Sequence, residues 1–164
     1  MPRPKLVSDT DVLDATRRVM LREGAGFTLA DVATEVGLSR AALIQRFENK
    51  TGLARQLAAH NRSALEALIA ADPIDNKGPQ RVLAFLDRVL EAFAPPVLLA
   101  DAATVAALRD AVVARLDEPS RQRAGEVADL LLTVLQGAAA AGDRTHVAGR
   151  LRLALKLVYA GRPD

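Results

Sequence analysis

The stretch Thr28–Lys50, TLADVATEVGLSRAALIQRFENK, decides the fold of the N-terminal part of this 164-residue chain. Thr28, with Asp31 three residues later, has the spacing of a capping box and predicts the start of a helix. Four apolar residues follow at the i, i+3, i+4 and i+7 spacing of one helical face: Leu29, Val32, Ala33 and Val36. Gly37 then marks a sharp turn, because glycine enters left-handed backbone conformations without a steric penalty.

A second short helix is predicted directly after this turn. Ser39 is expected to cap it and Leu38 to be a buried plug, while Leu43 and Phe47, four residues apart, face inward. The outer face is left to Arg40, Ala41, Ala42, Gln45 and Arg46. Glutamine can pair with adenine, arginine can pair with guanine or phosphate, and alanine permits close approach to a groove. The pair of helices therefore predicts a DNA-binding helix-turn-helix; the alternative is the ordinary solvated face of a helical hairpin.

The segment from about Val12 to Leu57 resembles the N-terminal domain of TetR-family transcriptional regulators. Its matching positions agree in order and spacing: Val12-Leu13-Asp14-Ala15, Gly24, Phe27, Thr28, Asp31-Val32-Ala33, Val36-Gly37-Leu38-Ser39, Ala42-Leu43, Phe47, Lys50 and Leu53. The resemblance implies a DNA-contacting role for eight residues: Thr28, Ser39, Arg40, Ala41, Ala42, Gln45, Arg46 and Lys50.

Within that set, the resemblance implies different tasks. Thr28 and Lys50 would meet phosphates, and Ser39 with Arg40 would open the recognition helix. Ala41, Ala42 and Gln45 would lie nearest base edges, with Arg46 near base or backbone. One position departs from the family, which often has tyrosine where this chain has Ile44. Because isoleucine cannot donate a hydrogen bond to phosphate, one backbone contact is missing from the expected set.

The whole chain is predicted to be all-α. A three-helix helix-turn-helix domain is expected at residues 6–66, with a first helix from Asp9 to Glu23 capped by Ser8. A long helix capped by Asn49 leads to about Ala71 and joins a helical regulatory and dimerisation domain at residues 67–164. Pro95-Pro96 are expected to end a helix there. The helices of this second domain are predicted at residues 80–93, 101–116, 121–141 and 145–160.

The last two predicted helices carry apolar residues on more than one side. Eight of these residues form the predicted dimer interface: Val127, Leu131, Val134, Leu135, Leu151, Ala154, Leu155 and Val158. A helix that is apolar nearly all round is buried nearly all round, and in a short chain this indicates a partner subunit. The alternative is that both stripes fill the core of a single protomer. The resemblance to the family also implies a homodimer.

Composition narrows the class of protein. Half of the residues are hydrophobic, the formal net charge is +2 and cysteine is absent, which fits a reducing cytoplasm. No apolar run reaches the about 18 residues of a membrane span, and the N-terminus lacks a signal-peptide pattern, so a cytoplasmic protein is expected. The two histidines are far apart, no catalytic or phosphate-binding motif occurs, and Glu66 and Asp72 are interpreted as solvated carboxylates. No enzyme activity, metal or cofactor is therefore expected.

The sequence as a whole predicts a dimeric transcriptional regulator, most simply a repressor, that binds a palindromic operator in double-stranded DNA. The resemblance also implies release by a small ligand. An aliphatic pocket for a small apolar molecule is one interpretation of Phe85, Leu86, Leu90, Phe93 and Leu108, and plain core packing is the other. The alternative function is a helical protein-interaction or adaptor module without sequence-specific DNA binding.

Overall fold

A computed structural model describes residues 7–93, 95–141 and 146–160, and within them the secondary structure is entirely helical. The predicted all-α fold class is thus confirmed. The helices are α1 (Asp9–Glu23), α2 (Leu29–Val36), α3 (Arg40–Phe47), α4 (Lys50–Ala70), α5 (Pro79–Ala92), α6 (Pro95–Leu98), α7 (Ala102–Arg115), α8 (Arg121–Ala140) and α9 (Val147–Tyr159). Thr145, the predicted start of the last helix, lies outside the described residues.

Two compact units divide the chain between Asn61 and Arg62, within helix α4. The first unit contains α1, α2, α3 and the beginning of α4, and the second contains the rest of α4 and helices α5 to α9. Each unit has its own apolar core. The predicted domain limits of 6–66 and 67–164 stay a prediction.

The N-terminal unit is built by local signals that the sequence carries. Ser8 and Thr28 each form a capping box with the aspartate three residues on, and Ser39 Oγ accepts the Ala42 N–H at 3.1 Å. These caps bind backbone N–H groups that a helix start leaves without a partner. Gly37 adopts φ 70° and ψ 29°, the left-handed conformation expected at the turn. Val12, Val32, Leu43, Phe47 and Leu53 are almost completely buried and join the helices through one core.

Two local expectations need correction. Leu38 is half-buried rather than a buried plug, because it packs at the edge of the N-terminal core. Pro95 and Pro96 do not end the preceding helix, which already stops at Ala92, but begin the short helix α6. Proline suits a first helical turn because the N–H it lacks has no helical acceptor there.

The C-terminal unit packs α8 against α7 and α9, with α5 against α9. Its core is mostly aliphatic and includes the aromatic side chains of Phe85 and Phe93. A buried ion pair between Asp72 and Arg115 lies beside that core, with the Arg115 guanidinium 4.0 Å from the Phe85 ring centroid. Asp72 is therefore not a solvated carboxylate as expected, since only 1% of its side chain is exposed. In the described residues no helix is both long and apolar enough to cross a bilayer.

Candidate nucleic-acid interface

The concave surface beside α3 brings together several residues predicted to contact DNA. Thr28, Arg40, Ile44 and Lys50 line one open concavity of about 590 Å³ at the start of α2, the outer side of α3 and the start of α4. These residues are separated in sequence by up to 22 positions, and the capped turns bring them to one surface. We call this concavity the α2–α3 groove.

The exposed side of α3 supplies the remaining predicted contacts. Ser39, Ala41 and Gln45 are exposed, and Ala42 is half-buried. The Ser39 hydroxyl oxygen accepts the Ala42 N–H, and within the described residues no acceptor is recorded for the hydroxyl proton. Arg40 and Gln45 likewise have no hydrogen-bond partner recorded within the described residues, so their donors are available to an external acceptor.

The Thr28 side chain already has a hydrogen-bond partner within the protein, which the sequence did not indicate. Its backbone N–H and its hydroxyl both donate to Asp31 Oδ2, at 2.7 and 2.8 Å. The side-chain and then the backbone hydrogen bond from Thr28 hold the pKa of the Asp31 carboxyl below its usual range. Thr28 could therefore bond to a phosphate through its hydroxyl only by giving up Asp31.

Arg46 lies on the α1 side of α3 rather than on a free outer face. Its guanidinium donates to Asp9 Oδ1 through Nε, at 2.8 Å, and to the Val7 carbonyl through Nη2, at 2.9 Å. Only 29% of its side chain is exposed. These contacts make Arg46 a link between α3 and the start of α1, a role that its position on the helix did not reveal.

Lys50 stands at the edge of the α2–α3 groove. Its ammonium nitrogen lies 4.4 Å from the centroid of the Phe27 ring, within the range of a cation–π interaction. Glu48 lines the same groove and brings a negative charge close to the predicted phosphate contacts. Ile44 is 40% exposed there, so an apolar side chain occupies the position where the family often has tyrosine.

The junction between α3 and α4 has two features that sequence reasoning missed. Glu48 has φ 68° and ψ −58°, and among the described residues it is the one non-glycine with positive φ. The Asn49 N–H donates to the Phe47 carbonyl at 2.8 Å, which closes a γ-turn around Glu48. A Cβ on Gly52 would lie 2.1 Å from that same carbonyl oxygen, so only glycine fits in the first turn of α4.

Away from the groove, two arginines of α1 form ion pairs that join α1 to α2. Arg18 Nε and Arg22 Nη1 donate to the two oxygens of Glu35, at 3.1 and 3.3 Å. Hydrogen bonds from Arg18 and then Arg22 lower the pKa of the Glu35 carboxyl. A third contact, between His60 Nε2 and Asp14 Oδ1 at 3.2 Å, joins α4 to α1. The polar network outside the groove therefore fixes the helices that present it.

The eight residues predicted to form a dimer interface are mostly inside the C-terminal unit. Five of them are at most 2% exposed: Val127, Leu131, Leu135, Leu151 and Leu155. Val134, Ala154 and Val158 are half-buried. The five buried side chains belong to the core of their own protomer, and the predicted interface stays a prediction. The large apolar side chains exposed on α8 and α9 are instead Leu130, Leu153 and Leu157.

The side chains weighed as an aliphatic ligand pocket belong to the same core. Phe85, Leu86, Phe93 and Leu108 are at most 2% exposed, and Leu90 is half-buried. Their packing supports the alternative interpretation, that these residues stabilise the unit. Within the described ranges, no group of three histidine, aspartate or glutamate side chains is arranged to hold a metal ion.

Comparison with known protein families finds a match for the N-terminal segment. Residues 12–57 match the family model of the bacterial regulatory proteins, tetR family. This confirms the resemblance inferred from the sequence: the segment is similar to the N-terminal domain of TetR-family regulators. No curated protein matches this chain.

One solved structure shares the fold over nearly the whole chain, and a second is similar to it at a lower TM-score. A TetR-like transcriptional regulator from Rhodococcus sp. RHA1 is 18% identical, with a TM-score of 0.62 over 98% of this chain and 100% of that one. The TetR family repressor AlkX from Dietzia sp. strain DQ12-45-1b, implicated in biodegradation of n-alkanes, is also 18% identical. Its TM-score is 0.45 over 96% of this chain and 98% of that one.

Proposed function

We propose that this protein is a homodimeric, sequence-specific DNA-binding repressor of transcription. The observation that carries the proposal is the α2–α3 groove, where Arg40 and Lys50 flank an α3 surface that offers Ser39, Ala41 and Gln45. The side chains of α3 would enter the major groove, with Gln45 reading a base and Ala41 and Ala42 allowing close approach. Lys50, Arg40 and Ser39 would bind the flanking phosphates.

The proposal assigns Thr28 and Arg46 supporting roles. Thr28 caps α2 through Asp31, and Arg46 anchors α3 to α1, so both fix the orientation of the recognition helix. Ile44 would pack against a sugar or a thymine methyl group, since its exposed side chain is purely aliphatic. The proposal includes no catalytic step and no cofactor.

Dimerisation is proposed through the outer surfaces of α8 and α9. Leu130, Leu153 and Leu157 are 41%, 57% and 68% exposed, which favours their burial against a second copy of the chain. The half-buried Val134, Ala154 and Val158 would complete this surface. A dimer with two recognition helices would bind a palindromic operator whose half-sites are a helical turn or more apart. Release by a small ligand is part of this proposal, as the most direct way to end repression.

Salt dependence separates this function from the alternative of a protein-interaction module. Binding of a mixed population of duplex DNA fragments, followed by fluorescence anisotropy, should weaken steeply as salt rises, because phosphate contacts release counterions. The logarithm of affinity should fall linearly with the logarithm of salt, with a slope of about −0.9 per phosphate contact. A dimeric protein that shows no salt-dependent association with DNA would favour the protein-interaction alternative.

A further inference from the structure

The end of helix α4 places one buried carboxylate among three arginines. Asp72 Oδ2 accepts hydrogen bonds from Arg115 Nε at 2.9 Å and from Arg81 Nη2 at 2.8 Å, and Asp72 Oδ1 accepts from Arg88 Nη1. The Asp72 and Arg115 side chains are each 1% exposed, whereas Arg81 is 18% and Arg88 49% exposed. The single negative charge of Asp72 therefore holds three guanidinium groups together, and those of Arg81 and Arg88 face solvent.

Each of the three nitrogens of the buried Arg115 side chain has an acceptor in this arrangement. Arg115 donates to the Asp72 carboxylate, to the Asp72 carbonyl at 2.8 Å and to the Ala111 carbonyl at 2.9 Å. Arg81 and Arg88 differ from it, because each bonds to Asp72 through a single nitrogen. Arg81 Nη2 also donates to the Pro73 carbonyl. For Nε and Nη1 of Arg81 and for Nε and Nη2 of Arg88, no partner is recorded in the part of the chain that the structure describes.

Both outer arginines line an open concavity of about 480 Å³. Asn76 and Gln80 also line it and add uncharged hydrogen-bond donors. The side chains of Pro73 and Ala84 form an apolar part of its wall. Asp75 brings one carboxylate, which is exposed and therefore screened by water. Two guanidinium groups fixed on the same carboxylate repel each other, and an oxyanion bound between their outer edges relieves that repulsion.

We propose that the concavity lined by Arg81 and Arg88 is a binding site for a small molecule that carries a phosphate or carboxylate group. The two guanidinium groups would donate hydrogen bonds to the oxyanion from the nitrogens that do not contact Asp72. Asn76 and Gln80 would donate the remaining hydrogen bonds. Asp72 also lines the concavity, but only 1% of its side chain is exposed, so it acts as a positioning residue that orients both arginines. The concavity is larger than a single phosphate and leaves room for a compact organic body. This inference does not depend on DNA binding.

The test uses the full chain and two probes, inorganic phosphate and succinate, each titrated by calorimetry at constant ionic strength against sodium chloride. Saturable binding of phosphate alone would identify a phosphate-selective site, and binding of succinate alone a carboxylate-selective one; either supports the proposal. Arg88→Gln should lower affinity about tenfold, as expected for one lost charge-assisted interaction. Arg88→Lys, which keeps the charge but loses the planar fork, should bind with intermediate affinity.

The matched control is Arg152→Gln, since Arg152 is 62% exposed and pairs with Asp87 elsewhere on the same unit. It should bind the probe like the unmodified protein, and circular dichroism should show that every variant is folded. The proposal is overturned if neither probe saturates at millimolar concentration, or if folded Arg88→Gln binds as tightly as the unmodified chain.

Discussion

The Arg46 guanidinium lies 2.6 Å from Asp9 Oδ1 and ties the recognition helix α3 to the first turn of α1. These residues are 37 positions apart, and a second bond from Arg46 to the Val7 carbonyl strengthens the link. The orientation of α3 therefore depends on a contact within the protein, made by a side chain that the sequence assigned to DNA.

Removing this link should lower stability modestly. Arg46→Ala and Asp9→Ala should each reduce the free energy of unfolding, and a double-mutant cycle in urea should give a favourable coupling below about 1 kcal/mol, because Asp9 is 61% exposed. Arg55→Ala, an exposed arginine on α4 without a recorded partner in the described residues, serves as the control. A coupling of zero would mean that the pair does not hold α3 in solution.

Gln45 and Lys50 should differ in how they affect DNA binding. Gln45→Ala should relax sequence preference at one base position by ~1–3 kcal/mol, whereas Lys50→Ala should weaken all sequences alike and reduce the salt slope by about 1. Competition binding with single-base operator variants measures both effects, with the exposed Arg123→Ala of the second unit as control. If the two substitutions act identically on every sequence, the proposed roles are wrong.

Glu48 should lower both the stability of the fold and its affinity for DNA. Its positive φ is strained for a residue with a side chain, so Glu48→Gly should stabilise the fold by up to about 1 kcal/mol. Glu48→Gln keeps the strain and removes only the charge, so it should leave stability nearly unchanged. Both variants should bind DNA more tightly, because the carboxylate lines the same groove as Lys50. Urea unfolding measures the effect on stability, and fluorescence anisotropy measures the effect on DNA binding. If Glu48→Gly is less stable than Glu48→Gln, the backbone at Glu48 is not strained.

Dimer contacts should be found at the exposed leucines rather than at the buried stripe. Leu157→Asp should yield a folded monomer in analytical ultracentrifugation, because its side chain is 68% exposed in the protomer. Leu131→Asp should instead unfold the second unit, since a buried charge without a partner costs several kcal/mol. Ile74→Asp, at a residue 44% exposed in the segment between α4 and α5, is the control and should remain dimeric. A dimeric Leu157→Asp variant would remove that residue from the interface.

Asp72 should make the second unit sensitive to acid. Burial raises the pKa of its carboxyl, but hydrogen bonds from Arg115 and Arg81 and their charges outweigh burial and lower it below 3.8. The resulting stability is present above the unfolded-state pKa and is lost as pH falls through the folded-state pKa. Stability of the unmodified protein should therefore fall below about pH 4.

Asp72→Asn is the variant that tests this prediction. It should be less stable by about 3–5 kcal/mol at neutral pH, because Arg115 stays buried without its counter-charge. The pH dependence below about 4 should also become shallower in urea titrations. Asp75→Asn, an exposed aspartate in the same segment, should behave like the unmodified protein at both pH values. Parallel pH profiles for the unmodified chain and Asp72→Asn would contradict the assignment.

The features that sequence reasoning anticipated are those set by short-range rules. Ser8, Thr28 and Ser39 cap helices because their side chains reach N–H groups three residues ahead, and Gly37 turns because its backbone allows positive φ. The inward positions of Leu43 and Phe47 follow from helical periodicity alone. These local signals sufficed to define the helix-turn-helix.

The features that were missed depend on contacts distant in sequence or on backbone detail. Arg46 with Asp9, and Asp72 with Arg115, are separated by 37 and 43 residues, so no spacing rule connects them. Periodicity showed that α8 and α9 carry apolar residues on several sides, but it could not tell which side meets the protomer's own core. Leu131 lies in that core, whereas Leu157 lies outside it.

Selection of bound fragments from randomised DNA, with the purified protein at near-physiological salt, tests the central claim most directly. A dimeric repressor predicts enrichment of one palindromic sequence, with half-sites about one helical turn or more apart. Gln45→Ala should enrich the same palindrome with one relaxed position in each half-site. Failure of the folded dimer to enrich any sequence would contradict sequence-specific DNA binding and favour a protein-interaction role for the helix-turn-helix.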